Sequence, residues 1–147
     1  MSKLPVAYID LSFFAHATEE ETKVVEAASN LLPKSELENI NFRRNNLKGH
    51  YGNPIVFFVT KIAEKDVVKA VIDIFSSNLS ALDKETLLRE INLHLEKGSL
   101  YLRFDKQAAY LKNFKLGAVD PIRIRIRFKK NRLEEVVQIC REIGMLP

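Results

Sequence analysis

The chain has 147 residues, 46% of them hydrophobic and 29% charged, which is enough for one domain with a real core and too apolar for a disordered chain. A single cysteine, Cys140, excludes an internal disulfide, and no apolar run reaches the ~20 residues of a membrane span. The formal charge of +4 conceals an uneven distribution: Lys97 to Arg132 holds eleven basic residues against Asp105 and Asp120, a net of +9, which leaves −5 for the rest.

Val6 to Ala15 predicts a first strand, with Tyr8, Ser12 and Phe14 on one side and Ile9, Leu11 and Phe13 on the other. Thr18 with Glu21 predicts a capping box that opens a helix to about Leu32, before Pro33. Glu19, Glu20 and Glu21 suit the positive end of that helix, so they are read as local stabilisation rather than metal ligands. Glu38–Lys48 predicts a second strand and Ile55–Ile62 a third, and the residues between, Gly49 to Pro54, have hairpin-loop chemistry. Lys65–Ser76 predicts a helix with Val67, Val68, Val71, Ile72 and Phe75 inward. Asp83 predicts the cap of another, carrying Leu87, Leu88, Ile91 and Leu95 and ended by Gly98. Ser99–Phe104 follows as a strand, Lys106–Leu111 as a short helix, Leu116 to Ala118 as a turn and Pro121–Phe128 as a strand. Asn131 with Glu134 predicts a second capping box and a last helix with Leu133, Val136, Val137, Cys140 and Ile143 inward. There Cys140 reads as a buried, inert thiol. The mixture of hairpin-joined and helix-separated strands predicts an α+β fold: one domain over 1–147, with a mixed or antiparallel sheet and helices on one face.

Charge and periodicity meet in the Pro121–Phe128 strand. Ile122, Ile124, Ile126 and Phe128 alternate with Arg123, Arg125 and Arg127, so the apolar set can enter a core while three guanidiniums line up outside. Their spacing of roughly 7 Å is close to the repeat of phosphates along an extended strand. Lys129, Lys130, Lys106 and Arg103 add to the same charge, and nucleic acid is the first reading. The plain alternative is the solvated outer face of a half-buried strand.

The Gly49–Pro54 loop is a second candidate, because His50 and Tyr51 suit stacking on an unpaired base and Arg43, Arg44 and Lys48 charge the same end. Its alternative is a hairpin turn that needs Gly and Asn, with Tyr51 folded onto the sheet. A third is Arg103 to Gln107, where Asp105 caps a helix whose first N–H groups suit a phosphate, with Tyr110 one turn on. No Gly-rich phosphate loop, zinc-spaced Cys/His pair or nucleophile elbow is present, so no cofactor or metal is expected. His94 reads as a packed or rim histidine and His16 as a local hydrogen-bonding residue. A ribonuclease using His16 and His50 as acid and base stays open as an alternative.

Five blocks, HATEEETKV at 16–24, LKGHYGNPI at 47–55, LSALDKETLLR at 79–89, LYLRFDKQAAYL at 100–111 and DPIRIRIRFK at 120–129, occur in order across nearly the whole chain. In these blocks the chain resembles an archaeal RNA-binding family often described as predicted exosome subunits. The resemblance implies an α+β fold similar to the large-subunit ribosomal protein that binds 5S RNA, and a part in RNA processing or with ribosome-related RNA. It brings no catalytic residues, and it names exosome components as candidate partners. The expectation is a cytoplasmic, non-catalytic RNA-binding protein without membrane association, gripping phosphates with Arg123, Arg125 and Arg127. A protein-interaction adaptor docking on an acidic surface is the second reading, and a metal-independent ribonuclease the least favoured.

Overall fold

Alternation along β1 (Val6–His16) buries Ile9, Leu11, Phe13 and Ala15 and leaves Tyr8, Asp10, Ser12, Phe14 and His16 on the opposite face. This strand lies inside a six-stranded antiparallel sheet of order β2-β3-β1-β6-β5-β4. The other strands are β2 (Arg43–Lys48), β3 (Pro54–Ile62), β4 (Leu95–Glu96), β5 (Ser99–Phe104) and β6 (Ile122–Phe128). The computed structural model describes residues 5–49 and 52–147. An irregularity between Val6 and Tyr8 keeps both strand ends in phase with β6.

Among the described residues, helices cover one face of the sheet. They are α1 (Glu21–Ser29), α2 (Lys65–Asn78), α3 (Ala81–Arg89), the single turn α4 (Ile91–His94), the short α5 (Lys106–Tyr110) and α6 (Leu133–Glu142). Val67, Val68, Val71 and Phe75 of α2, Val24 and Ala28 of α1, and Val136 and Cys140 of α6 share one core with Ile122, Ile124, Ile126 and Phe128. Phe13 stacks on Phe58 at 5.0 Å and meets Phe42 edge-on at 5.4 Å, which ties β1 and β3 to the segment before β2. No described helix is long and apolar enough to cross a membrane. The expected α+β class, antiparallel sheet and one-sided helices are all present.

Several local expectations need correction. α1 is capped by Glu20 and not by Thr18: Glu19 bonds back through its carboxylate to the His16 amide at 2.9 Å, which turns the chain before the helix starts. The helix also ends at Ser29, with Leu31 and Leu32 buried in the turn beyond. Glu38 and Asn39, read as the start of the second strand, instead close a 3-10 helix, Lys34–Asn39, launched by Pro33 and tied by Asn39 Nδ2 donating to Glu36 at 3.0 Å, and pairing begins only at Arg43. Ser80, not Asp83, caps α3, its Oγ accepting from the Asp83 amide at 3.0 Å. Arg132 rather than Asn131 precedes α6, with no side-chain cap.

The largest revision concerns the predicted helix up to Gly98. It breaks at Glu90 into α3 and α4, and Leu95–Glu96 then becomes a strand. Lys97 (φ 47°) and Gly98 (φ 82°) are both left-handed, the two-residue turn that suits the twist of a β4–β5 hairpin. Gly98 therefore reverses the chain between strands instead of merely ending a helix. A Cβ there would lie 2.5 Å from the Lys130 carbonyl, so this turn is pressed against the segment after β6.

Candidate nucleic-acid interface

Register decides which side chains meet on the helix-free face. Arg103 of β5 stands opposite Arg123 of β6, which faces Ser12 of β1, then Val59 of β3 and Arg43 of β2. The next row runs Tyr101, Arg125, Asp10 and Lys61, and the one after it Ser99, Arg127 and Tyr8. Toward the other end, Phe14 lies beside Phe57 and Asn45. Arg43, Lys61, Arg103, Arg123, Arg125 and Arg127 thus share one surface, in which Asp10 is the acid nearest the centre.

The arginines of β6 point outward as expected, because the isoleucines and Phe128 fill the core. They are not free-floating charges. Arg125 Nε donates to Ser99 Oγ at 3.0 Å, its guanidinium lies 3.9 Å from Asp10, and it stands 5.8 Å from the Tyr8 ring and 6.0 Å from the Tyr101 ring. Arg127 Nη1 donates to the Lys97 carbonyl. Arg123 lies 5.7 Å from the Phe14 ring, and Lys61 4.2 Å from that of Tyr8. Phe14 and Phe57 pack with centroids 4.9 Å apart. The sheet therefore presents cations interleaved with aromatic rings, an arrangement that can hold phosphates and stack on unpaired bases together.

Several of the other residues singled out from the sequence sit elsewhere or at the margins of this face. Arg44 turns to the helix side and grips Glu21 with two bonds of 3.0 and 2.7 Å. Those bonds hold the Glu21 carboxyl below the usual range and raise the Arg44 guanidinium further. Lys106 has a side chain only 12% exposed, its Nζ donating to the Phe14 carbonyl (2.8 Å), Asp120 (2.7 Å) and Glu19 (3.2 Å). Lys129 and Lys130 are exposed just beyond β6, and Lys48 at the end of β2. His50 and Tyr51 lie outside the described residues. Asp105 caps α5 as expected, accepting from the Ala108 amide at 2.8 Å, so its own carboxylate takes the place of a phosphate at that helix start. Tyr110 borders a different cavity, of about 500 Å³, between α1 and α5. His94 lies 3.4 Å from Glu90.

Beside that cavity His16, Glu19 and Asp120 bring ligand atoms within 4.8 Å of one another. Lys106 supplies the positive charge in their midst, and a dication would have to displace it. His16 Nε2 bonds Asp120 at 3.0 Å. Partial burial opposes ionisation of Asp120, but the hydrogen bonds from Lys106 and His16 outweigh it and hold its carboxyl below the ordinary value. The cluster secures a left-handed residue, Asp120 at φ 45°, just ahead of the arginine strand.

The aromatic members of the face, Tyr8, Phe14, Phe57 and Tyr101, and the cation Lys61 were not singled out from the sequence. Their signal was available for β1, where Tyr8 and Phe14 share the side opposite the core. On β3 it was hidden, because Ile55 to Val59 is apolar at every position.

Fold and face together define an α+β protein whose sheet is shielded by helices on one side and on the other sets arginine and lysine side chains among aromatic rings. The chain belongs to the family described as RNA binding, whose model matches residues 8–128, from Tyr8 of β1 to the last residue of β6. It is 34% identical over 146 residues to protein MJ0213 of Methanocaldococcus jannaschii, covering 92% of this chain and 97% of that one. It is 32% identical over 145 residues to RNA-binding protein PAB1135 of Pyrococcus abyssi, covering 95% and 94%. Among solved structures, protein AF2318 of Archaeoglobus fulgidus matches with a TM-score of 0.79 at 27% identity, over 94% of this chain and 99% of that one. Mth689 of Methanothermobacter thermautotrophicus shares the fold with a TM-score of 0.76, over 95% and 98%. The resemblance read from the five sequence blocks holds at the level of this RNA-binding family and its archaeal relatives.

Proposed function

We propose that the protein binds RNA without catalysis across the open face of its sheet. Arg123, Arg125, Arg127, Arg103 and Arg43 grip phosphates with Lys61, Lys129 and Lys130 alongside, while Tyr8, Phe14, Phe57 and Tyr101 stack on unpaired bases. The observation that carries this reading is the cross-strand register of Arg103 with Arg123 beside aromatic rings. Like charges placed directly opposite each other cost stability, and an anionic ligand offsets that cost. Arg44 and Lys106 serve the scaffold in this reading.

RNA titrations across a salt series test it. Affinity should fall steeply with salt, because phosphates neutralised by the arginines release counterions. Salt-independent binding, or none at low ionic strength, would overturn the reading. Labelled RNA should remain intact with or without divalent metal, and cleavage lost in His16→Ala would overturn the non-catalytic part. A role in RNA processing with exosome components as partners is supported by the sequence resemblance. Competition between bulk RNA and purified exosome components tests it and separates RNA binding from docking on an acidic protein.

A further inference from the structure

At the β4 end the open face deepens into a cleft of about 700 Å³, within the range of small-ligand sites, whose lining includes Tyr8, Tyr101, Arg125, Arg127 and Glu96. Its arginines are set in place before any ligand arrives. Ser99, itself buried, fixes Arg125, and the carbonyl of the left-handed Lys97 fixes Arg127. Glu96 is paired in register with Ser99, so its carboxylate stands on the same face. Glu96 is exposed and makes no ion pair or side-chain hydrogen bond among the described residues, although two guanidiniums share its cleft.

A carboxylate repels phosphate, so on a surface that grips an RNA backbone its favourable contact is with N–H groups of a base. The four bases differ here. The Watson–Crick edge of guanine offers two adjacent donors, N1–H and the N2 amino group, which match the two oxygens of a carboxylate. Adenine and cytosine each offer one amino group, and uracil a single imino group flanked by two repelling carbonyls. Tyr101 and the Arg125 guanidinium provide flat surfaces for the base, and Arg127 a donor for the adjoining phosphate.

We propose that this cleft is a guanine-selecting subsite for single-stranded RNA, with Glu96 reading the Watson–Crick edge. The proposal rests on RNA binding by the open face and adds the base it prefers there. Fluorescence anisotropy on a uridine octamer and on the same octamer with one central guanosine tests it. The guanosine octamer should bind about tenfold more tightly, the scale of one bidentate base contact. Inosine, which keeps N1–H and lacks the N2 amino group, should give an intermediate gain. Glu96→Gln should shrink the guanosine preference to within about twofold and leave uridine-octamer affinity unchanged or raised. Equal affinity for the two octamers, or a preference intact in Glu96→Gln, would overturn the proposal. If the uridine octamer binds in a manner that Arg123→Gln weakens yet guanosine adds nothing, the guanine subsite alone falls. If neither octamer binds at low salt, RNA binding by this face falls with it.

Discussion

Arg123→Gln separates a ligand-gripping arginine from a structural one. Arg123 is exposed, stands directly opposite Arg103 and lies 5.7 Å from the Phe14 ring. Removing its charge relieves a cross-strand repulsion of ~0.2–1 kcal/mol. It also forfeits a cation–π contact worth ~0.5–1 kcal/mol at an exposed site. The two changes oppose each other, so the free energy of unfolding should stay within about 0.5 kcal/mol of the parent in urea denaturation. Salt screens repulsion between exposed charges, so added salt should stabilise the parent more than the variant. For RNA, losing one phosphate contact should lower the magnitude of the log–log salt slope by about 0.7 for a single strand, whatever its sequence. A variant destabilised by more than about 1 kcal/mol with an unchanged slope would refute this account, because Arg123 would then belong to the scaffold.

Ile124→Ala should show the opposite profile: Ile124 is 1% exposed, so the change should cost about 2–5 kcal/mol in denaturation and leave affinity per folded molecule intact. Tyr101→Ala, at a residue 38% exposed, should weaken single-stranded RNA binding by about 1–3 kcal/mol in titration with little change in melting temperature. Asp120 ionises below its ordinary value of 3.8 in the folded protein, so its contribution is complete above that pH and is lost as pH falls through the lower folded value. Acid unfolding should accordingly be less pH-dependent below about pH 4 in Asp120→Asn than in the parent. Burial pushes the Cys140 thiol up to about 12, so thiol reagents at neutral pH should label it only when the protein unfolds.

The arginine strand was legible because its alternation is strict: one charged and one apolar set admit a single orientation once a core exists. The face around it was less so. Tyr8 and Phe14 could be placed on a side of β1, but a ring on a strand reads as core until neighbouring strands show which side the helices cover. Phe57 sits among apolar residues on both faces of β3, where period two carries no contrast. For Arg44 and Lys106 the sequence shows charge and not its partners. Glu21 and the Glu19–Asp120 pair reach them only through folding, over separations that spacing cannot reveal. Lys97-Gly98 misled for a local reason, since a left-handed pair serves equally to end a helix or to turn a hairpin.

The pairing of β1 with β6 joins the first of the six described strands to the last. Synthesis delivers β1, β2 and β3 early, and these three can pair among themselves. Until β6 has emerged, the edge of β1 that it covers stays open from Val6 to Ser12, a run that includes Ile9 and Leu11 with Asp10 as its one charge, an invitation to foreign strands. The nascent chain also lacks every guanidinium of β6 during that interval. A chain cut short ahead of β6 therefore leaves a sticky half-sheet rather than a weaker RNA binder, and the proposed binding face comes into being only once β6 has joined β1.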